Sequence, residues 1–159
     1  MLTSLPLSHA PTRPNQQIDN YCELIRRGKP DLIEIKAVTY CGKSDASSLT
    51  IRNSPWHEEV RKFAQAIVDR VGDEYGLAAE HVHSTCALVG KKEDMLIEGE
   101  WHTWIDYPKF QTLIHRYYAD GTSFKTKDYM AKTPTVSVTE RSAACDCGWA
   151  NVSGVRKSP

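Results

Sequence analysis

The sequence predicts an α/β fold in a single domain. Its 159 residues are about the length of one domain and are enough to bury a real hydrophobic core. Segments with the apolar period of a helix alternate along the chain with short runs of β-branched and aromatic residues. This alternation of helices and strands is typical of α/β proteins.

Composition and charge narrow the class of protein. Hydrophobic residues make up 40% of the chain and charged residues 25%, as in ordinary globular proteins. Lys and Arg together number 20, as do Asp and Glu, so the chain lacks the excess of basic residues that is usual in nucleic-acid-binding proteins. This balance does not exclude a local basic patch. No stretch has the length and apolar character of a membrane span or of a signal peptide. We therefore expect a cytoplasmic protein with reduced cysteines.

The first third of the chain predicts a helix and a strand after a disordered leader. Residues 1–17 are rich in Pro, Ser and Thr and lack an apolar period, which predicts disorder. Residues 18–27 have the apolar spacing of a helix, and Gly28 ends it. The run 32–40 has apolar residues on both faces, which indicates a central strand of a parallel sheet.

Residues 54–71 give the strongest helix signal. Ser54 is a candidate N-cap, and Pro55 suits the first turn. The predicted core-facing stripe consists of Trp56, Val60, Phe63, Ala64, Ile67 and Val71. Two short strands are expected next, over about 76–80 and 86–89.

The last part of the chain predicts a hairpin and terminal helices. Residues 95–105 read as a hairpin that turns near Gly99, and residues 106–118 as a helix capped by Asp106. The segment 126–134 allows one or two helical turns. Residues 135–159 lack a period and are predicted to be a disordered tail.

A histidine- and cysteine-rich stretch raises the question of a metal site. Four potential ligands lie within seven residues: Glu80, His81, His83 and Cys86. Zinc sites usually need a second ligand pair at a distance, for which His102 or the pair Cys145 and Cys147 are candidates. The alternatives are that the histidines contact substrate, or that they are hydrogen-bonded side chains near a strand end while Cys86 packs in the core.

Other polar and aromatic residues each have a structural and a functional interpretation. Glu34 and Lys36 lie either at a solvated sheet edge or inside a cleft or barrel. His57, beside two carboxylates at a helix start, belongs either to the helix cap or to a site. Trp101 and Trp104 either pack within the hairpin or form a stacking surface for a nucleobase. The chain contains no P-loop, G-x-G-x-x-G or G-x-S-x-G motif.

Four segments resemble one known family. They read, in order, "RRGKPDLIEIKAVTYCGKSDASSLTIRNSPWHEEV", "LAAEHVHSTCALVG", "EGEWHTWIDYPKFQ" and "KDYMAKTP". Together they resemble the C-terminal part of the wybutosine-synthesis radical-SAM family, the eukaryotic tRNA 4-demethylwyosine synthases. The resemblance covers about residues 18–134, which would form the wyosine base formation region.

The resemblance implies a reaction and a fold. The family forms 4-demethylwyosine from N1-methylguanosine beside the anticodon of phenylalanine tRNA, using pyruvate and S-adenosylmethionine. It implies tRNA as the partner, with neither DNA nor a membrane involved. The implied fold is a partial (β/α) barrel of the radical-SAM type, of which this chain would be the C-terminal portion, a truncated piece.

The cofactors that the family uses are not expected on this chain. The resemblance implies [4Fe–4S] clusters, S-adenosylmethionine and FMN on upstream regions, whereas these cysteines lack the C-x₃-C-x₂-C spacing of the cluster ligands. We therefore expect no bound metal and no lyase activity from the chain alone. The alternative to an enzyme segment is a non-catalytic tRNA-binding or scaffold remnant of the family.

The resemblance also suggests which residues face the substrate. Strand-end residues would lie at the barrel mouth, where function sits in such folds. Lys36 is the candidate catalytic residue. The candidate substrate- and tRNA-facing residues are Ser47, Ser48, His57, Glu80, His81, His83 and Trp104.

Overall fold

The computed structural model describes residues 2–7, 14–43, 50–134 and 150–151. The helices are α1 (Pro14–Gly28), α2 (His57–Val71), α3 (Lys92–Met95) and α4 (Tyr107–Asp120), with 3-10 turns at Ile51–Asn53 and Thr126–Asp128. The strands are β1 (Leu2–Leu7), β2 (Leu32–Ala37), β3 (Tyr75–His81), β4 (Cys86–Lys91), β5 (Leu96–Ile97), β6 (Glu100–Trp101), β7 (Trp104–Ile105), β8 (Met130–Ala131) and β9 (Ala150–Asn151).

The main sheet has five strands in the order β1-β2-β4-β3-β9. Strands β1 and β2 are parallel and are linked through α1, whereas β4 runs antiparallel to both β2 and β3. β2 is therefore an inner strand, as predicted, but of a mixed sheet rather than a parallel one. The four residues 82–85 join β3 to β4 as a hairpin, since a parallel connection would need a dozen or more residues.

The barrel and the leader differ from the sequence expectations. The described strands form one open mixed sheet and two two-stranded sheets, and no barrel closes among the described residues. Within the expected leader 1–17, Leu2–Leu7 pairs with β2 as an edge strand and helix α1 begins at Pro14. Pro6 is compatible with a strand here because one side of an edge strand makes no ladder hydrogen bonds. Of the expected tail, Ala150–Asn151 pairs with β3 and the rest lies outside the described residues.

Helices α1 and α2 cover one face of the sheet and enclose the main core. Buried members of this core from the helices are Ile18, Cys22, Ile25, Val60, Ala64, Ile67 and Val71. From the sheet they are Ile33, Ile35, Ala37, Tyr75, Ala87 and Val89. The predicted stripe of α2 is thus confirmed at four positions. Trp56, assigned to the stripe from sequence, is instead 80% exposed because it precedes the helix.

A second, smaller core lies around Trp101, whose ring packs onto β3 and β4. A Cβ atom added at Gly76 would lie 2.7 Å from Cζ2 of Trp101, and one at Gly90 would lie 3.0 Å from its Cζ3. The ring therefore occupies the space that side chains would fill at these two glycines. Ala78 and Met95 complete the buried set.

The helix ends confirm one predicted cap and correct another. Asp106 accepts a hydrogen bond from the backbone N–H of Lys109 at 3.0 Å, as predicted for α4. Ser54 does not cap α2; its hydroxyl donates to the carbonyl oxygen of Val38 at 2.9 Å. Glu59 takes the capping role, since its carboxylate accepts from the backbone N–H of Trp56 at 2.8 Å.

Helix α4 is less buried than its sequence pattern predicts. Phe110, Leu113, Ile114 and Tyr117 have the spacing of a core-facing stripe, but the first three are only half-buried and Tyr117 is 50% exposed. Phe110 packs against Tyr129 with ring centroids 4.7 Å apart. None of the helices in the described part of the chain combines the length and apolar character needed to cross a membrane.

Candidate functional site

Three polar side chains form a row across the sheet at one end. Lys36 of β2 pairs with Cys86 of β4, and Cys86 pairs with His81 of β3. Cross-strand partners point to the same face of a sheet, so these three side chains share the face opposite α1 and α2. Lys36 is exposed, His81 is half-buried and Cys86 is buried. Burial raises the pKa of the Cys86 thiol, which keeps it protonated at neutral pH.

A second polar group lies at the same end on the helix-covered face. Oε2 of Glu80 lies 3.2 Å from Nε2 of His57 and 3.6 Å from Nε of Arg61. His57 and Arg61 lie one helical turn apart on α2. Both contact Glu80, a buried carboxylate of β3. The other ring nitrogen of His57, Nδ1, is buried and has no hydrogen-bond partner among the described residues.

His81 is held in one tautomer by the turn after β3. The backbone N–H of Ser84 donates to Nδ1 of His81 at 3.2 Å, and the Ser84 hydroxyl also contacts this nitrogen. Because Nδ1 accepts, the proton of the neutral ring is on Nε2. Burial lowers the pKa of His81, and the nearby His83, His57 and Lys36 lower it further. His81 therefore presents an N–H donor rather than a cation at neutral pH.

The metal hypothesis for residues 80–86 is not supported by this geometry. Glu80 turns towards α2, whereas Sγ of Cys86 donates to the carbonyl oxygen of Ser84 at 3.2 Å. No three histidine, cysteine or carboxylate side chains in the described part of the chain are placed to hold a metal ion. The structure instead shows hydrogen-bonded strand-end groups and a buried thiol. Cys145 and Cys147 lie outside the described residues.

The described cysteines do not fit an iron–sulfur cluster of the radical-SAM kind. Cys22 is buried in the core between the sheet and its helices, and Cys86 is buried on the opposite sheet face. Cys41 is exposed in the segment after β2. Three thiolates on one side of a common centre would be needed, and these three are divided by the sheet.

The structure brings together five of the predicted site residues and separates one. Those that converge at this end of the sheet are Lys36, His57, Glu80, His81 and His83. Trp104 lies elsewhere, in the two-stranded sheet β7–β8, and is 37% exposed. Ser47 and Ser48 lie outside the described residues.

Sequence reasoning missed Arg61 and Ser84. Arg61 lies outside the predicted core-facing stripe of α2, yet it is half-buried beside Glu80. Its position four residues after His57 would have indicated a shared helix face. Ser84 has no sequence signal, because its contacts depend on the conformation of the turn; Thr85 there has a positive φ of 54°.

Comparison with known proteins identifies the region that contains this site. The family described as wyosine base formation matches residues 27–91. The S-adenosyl-L-methionine-dependent tRNA 4-demethylwyosine synthase TYW1 of Mus musculus is 52% identical over 120 residues, which are 74% of this chain and 16% of the mouse protein. The Oryza sativa enzyme of the same description is 46% identical over 123 residues, which are 77% of this chain and 18% of the rice protein.

A solved structure, described as "Structure of TYW1 with a lysine-pyruvate adduct bound", shows a weaker likeness. It aligns with a TM-score of 0.47 and 20% identity, over 58% of this chain and 27% of that chain. The chain spans less than a fifth of the length of the mouse and rice relatives. The chain therefore contains a wyosine base formation domain and is homologous to a small part of the tRNA 4-demethylwyosine synthases.

Proposed function

We propose that this chain contributes part of the substrate-facing site of a cytoplasmic tRNA 4-demethylwyosine synthase. The supporting observation is that the family match covers the same strands and helix that form the candidate site. The family match over residues 27–91 includes β2, α2, β3 and β4 in full. These are the elements that bring Lys36, His81 and Glu80 to one end of the sheet.

The proposed reaction belongs to the longer protein. It forms 4-demethylwyosine from N1-methylguanosine beside the anticodon of phenylalanine tRNA, with pyruvate and S-adenosylmethionine. The [4Fe–4S] clusters, S-adenosylmethionine and FMN would be held by other regions, since the cysteines described here do not fit a cluster. In that protein the parallel unit of β1, α1 and β2 would join further strands of a partial (β/α) barrel.

Lys36 is the proposed reactive group of this chain. Its side chain is exposed at the strand end, so its amine can reach a bound keto acid. A lysine amine condenses with the ketone of pyruvate to form an imine, with loss of water. His81, neutral with its proton on Nε2, can donate a hydrogen bond to the substrate beside it.

A chimeric enzyme tests this role. Residues 18–134 would replace the matching segment of the mouse relative, and modified nucleoside would be measured by mass spectrometry of digested tRNA. We expect 4-demethylwyosine from the chimera, a large loss with Lys36→Ala and Lys36→Arg, and no loss with Lys62→Ala. Lys62 is an exposed lysine of α2 and serves as the matched control.

Arginine keeps the positive charge but cannot form an imine, so the two Lys36 variants separate chemistry from charge. Full activity in Lys36→Arg would contradict imine formation and would indicate that Lys36 acts through its positive charge. An inactive chimera that still binds tRNA would favour the second function, a non-catalytic tRNA-binding remnant.

A further inference from the structure

Trp56 is an exposed aromatic residue that the proposed function does not yet use. Among the described tryptophans, Trp101 is 6% exposed and Trp104 is 37% exposed, whereas Trp56 is 80% exposed. A large apolar side chain held in water is unfavourable unless something covers it. Of these three tryptophans, Trp56 is therefore the one whose ring is available to contact a partner.

The backbone of Trp56 is fixed although its side chain is exposed. Its N–H donates to the Glu59 carboxylate at 2.8 Å, and its carbonyl oxygen accepts from the N–H groups of Glu59 and Val60 at 3.0 and 3.1 Å. Pro55, just before it, is buried. The indole is thus presented from a rigid helix start, which limits the conformational entropy lost when it binds.

Trp56 lies at the end of the sheet that contains the candidate site. The next residue, His57, contacts Glu80 at the end of β3, and Ser54 is bonded to the segment after β2 through Val38. Two more apolar side chains of this end are exposed: Ile51 at 72% and Val82 at 53%. Exposed apolar side chains therefore lie at the same end of the sheet as the polar row of Lys36, Cys86 and His81.

We propose that Trp56 stacks on an unpaired base of the tRNA anticodon loop, next to the nucleotide that this site receives. This inference rests on the proposed function and names the contact that would position its substrate. Bases of single-stranded loops stack on aromatic side chains, and basic residues pair with the neighbouring phosphates. Lys36, near the end of β2, and the exposed Arg52, four residues before Trp56, supply positive charge for such contacts.

A binding experiment with a matched aromatic control tests the stacking. A synthetic anticodon stem-loop RNA of phenylalanine tRNA would be titrated with the full chain, with fluorescence anisotropy as the readout. We expect Trp56→Ala to raise the Kd about tenfold or more, and Trp56→Phe to raise it only about threefold. Tyr118→Ala should leave the Kd unchanged, because Tyr118 is equally exposed, at 81%, but lies on α4.

A second RNA separates stacking from charge. A blunt-ended RNA duplex of two complementary strands offers phosphates but no unpaired base, so Trp56→Ala should bind it as the wild type does. Equal weakening for both RNAs would overturn the stacking. If the wild type binds the stem-loop and both Trp56 variants bind it equally well, the inference is wrong while the proposed function stands. A wild-type chain that does not bind the stem-loop would overturn both.

Discussion

The two ends of the five-stranded sheet differ in what they bury. At one end the ring of Trp101 fills the space above Gly76 and Gly90. The buried hydroxyl of Tyr75 donates to the carbonyl oxygen of Pro30 at 3.0 Å, which ties β3 to the chain before β2. We call this the packed end, because apolar contacts and satisfied hydrogen bonds dominate it.

The opposite end, which we call the polar end, contains ionisable groups in place of an apolar cluster. Glu80 is shared between His57 and Arg61, and His81 is fixed by the turn that follows it. Polar groups contribute little net stability when they are paired, because they give up hydration to form those pairs. We therefore expect the packed end to determine stability and the polar end to determine function.

The largest expected effect on stability is at the packed end. Trp101→Ala should lower the free energy of unfolding by about 3–5 kcal/mol, because it empties the centre of the second core. Trp104→Ala, at a partly exposed tryptophan, should cost less than about 1 kcal/mol. Urea denaturation followed by circular dichroism measures both. Equal losses would mean that Trp101 does not anchor this end.

A smaller loss is expected from adding one carbon atom beneath the same ring. Gly76→Ala would place a Cβ atom 2.7 Å from Cζ2 of Trp101, so strand or ring must shift. We expect a loss of about 1–3 kcal/mol in the same denaturation experiment. Gly28→Ala is the control, since its nearest neighbour, Cδ of Pro30, would be 3.9 Å away. Unchanged stability in Gly76→Ala would contradict the close packing.

At the polar end, Glu80→Gln should lower the free energy of unfolding by about 0.5–1.5 kcal/mol in the same urea denaturation experiment. The amide keeps the shape of the side chain but loses the charge-assisted contacts to His57 and Arg61. Glu23→Gln, at an exposed position of α1, is the control and should have no measurable effect. A loss as large as that of Trp101→Ala would refute the contrast between the two ends.

The smallest effect concerns pH. Burial holds the pKa of His81 below its ordinary value of 6.5 in the folded state. Between the folded and unfolded pKa values the unfolded chain binds more protons, so stability rises with pH and is lost as pH falls below 6.5. His81→Gln should therefore flatten the pH dependence of the urea midpoint in this window. His115→Gln, at an exposed histidine of α4, controls for loss of a histidine as such.

If the urea midpoint of His81→Gln depends on pH as the wild-type midpoint does, the His81 imidazole has the same proton affinity in the folded and the unfolded chain. That result would also remove the argument that His81 is a neutral donor at the candidate site.

Local patterns predicted most elements because they depend on neighbours in the chain. The stripe of α2 and the Asp106 cap of α4 are determined by helical periodicity and by the first turn of a helix. The antiparallel pairing of β3 and β4 could also have been predicted from the sequence, because a connection of four residues is too short to join parallel strands. The resemblance had favoured a parallel barrel instead.

Other features depended on contacts between distant segments. β1 was missed because residues 2–7 have little strand signal and are ordered by pairing with β2. Arg61 faces Glu80 because β3 happens to end beside the first turns of α2. Trp56 looked like a core anchor by spacing, but it precedes the helix and therefore falls outside the periodic stripe.

The sequence by itself determined the helices, the main strands and the family resemblance, since each follows from residue order within a short window. Only the tertiary structure decided which polar residues meet. Alternation along a strand assigns a side chain to a face, but strand pairing and register determine its neighbours. Lys36 and His81 share a face with Cys86, and Glu80 lies on the other, because β4 lies between β2 and β3 in this register.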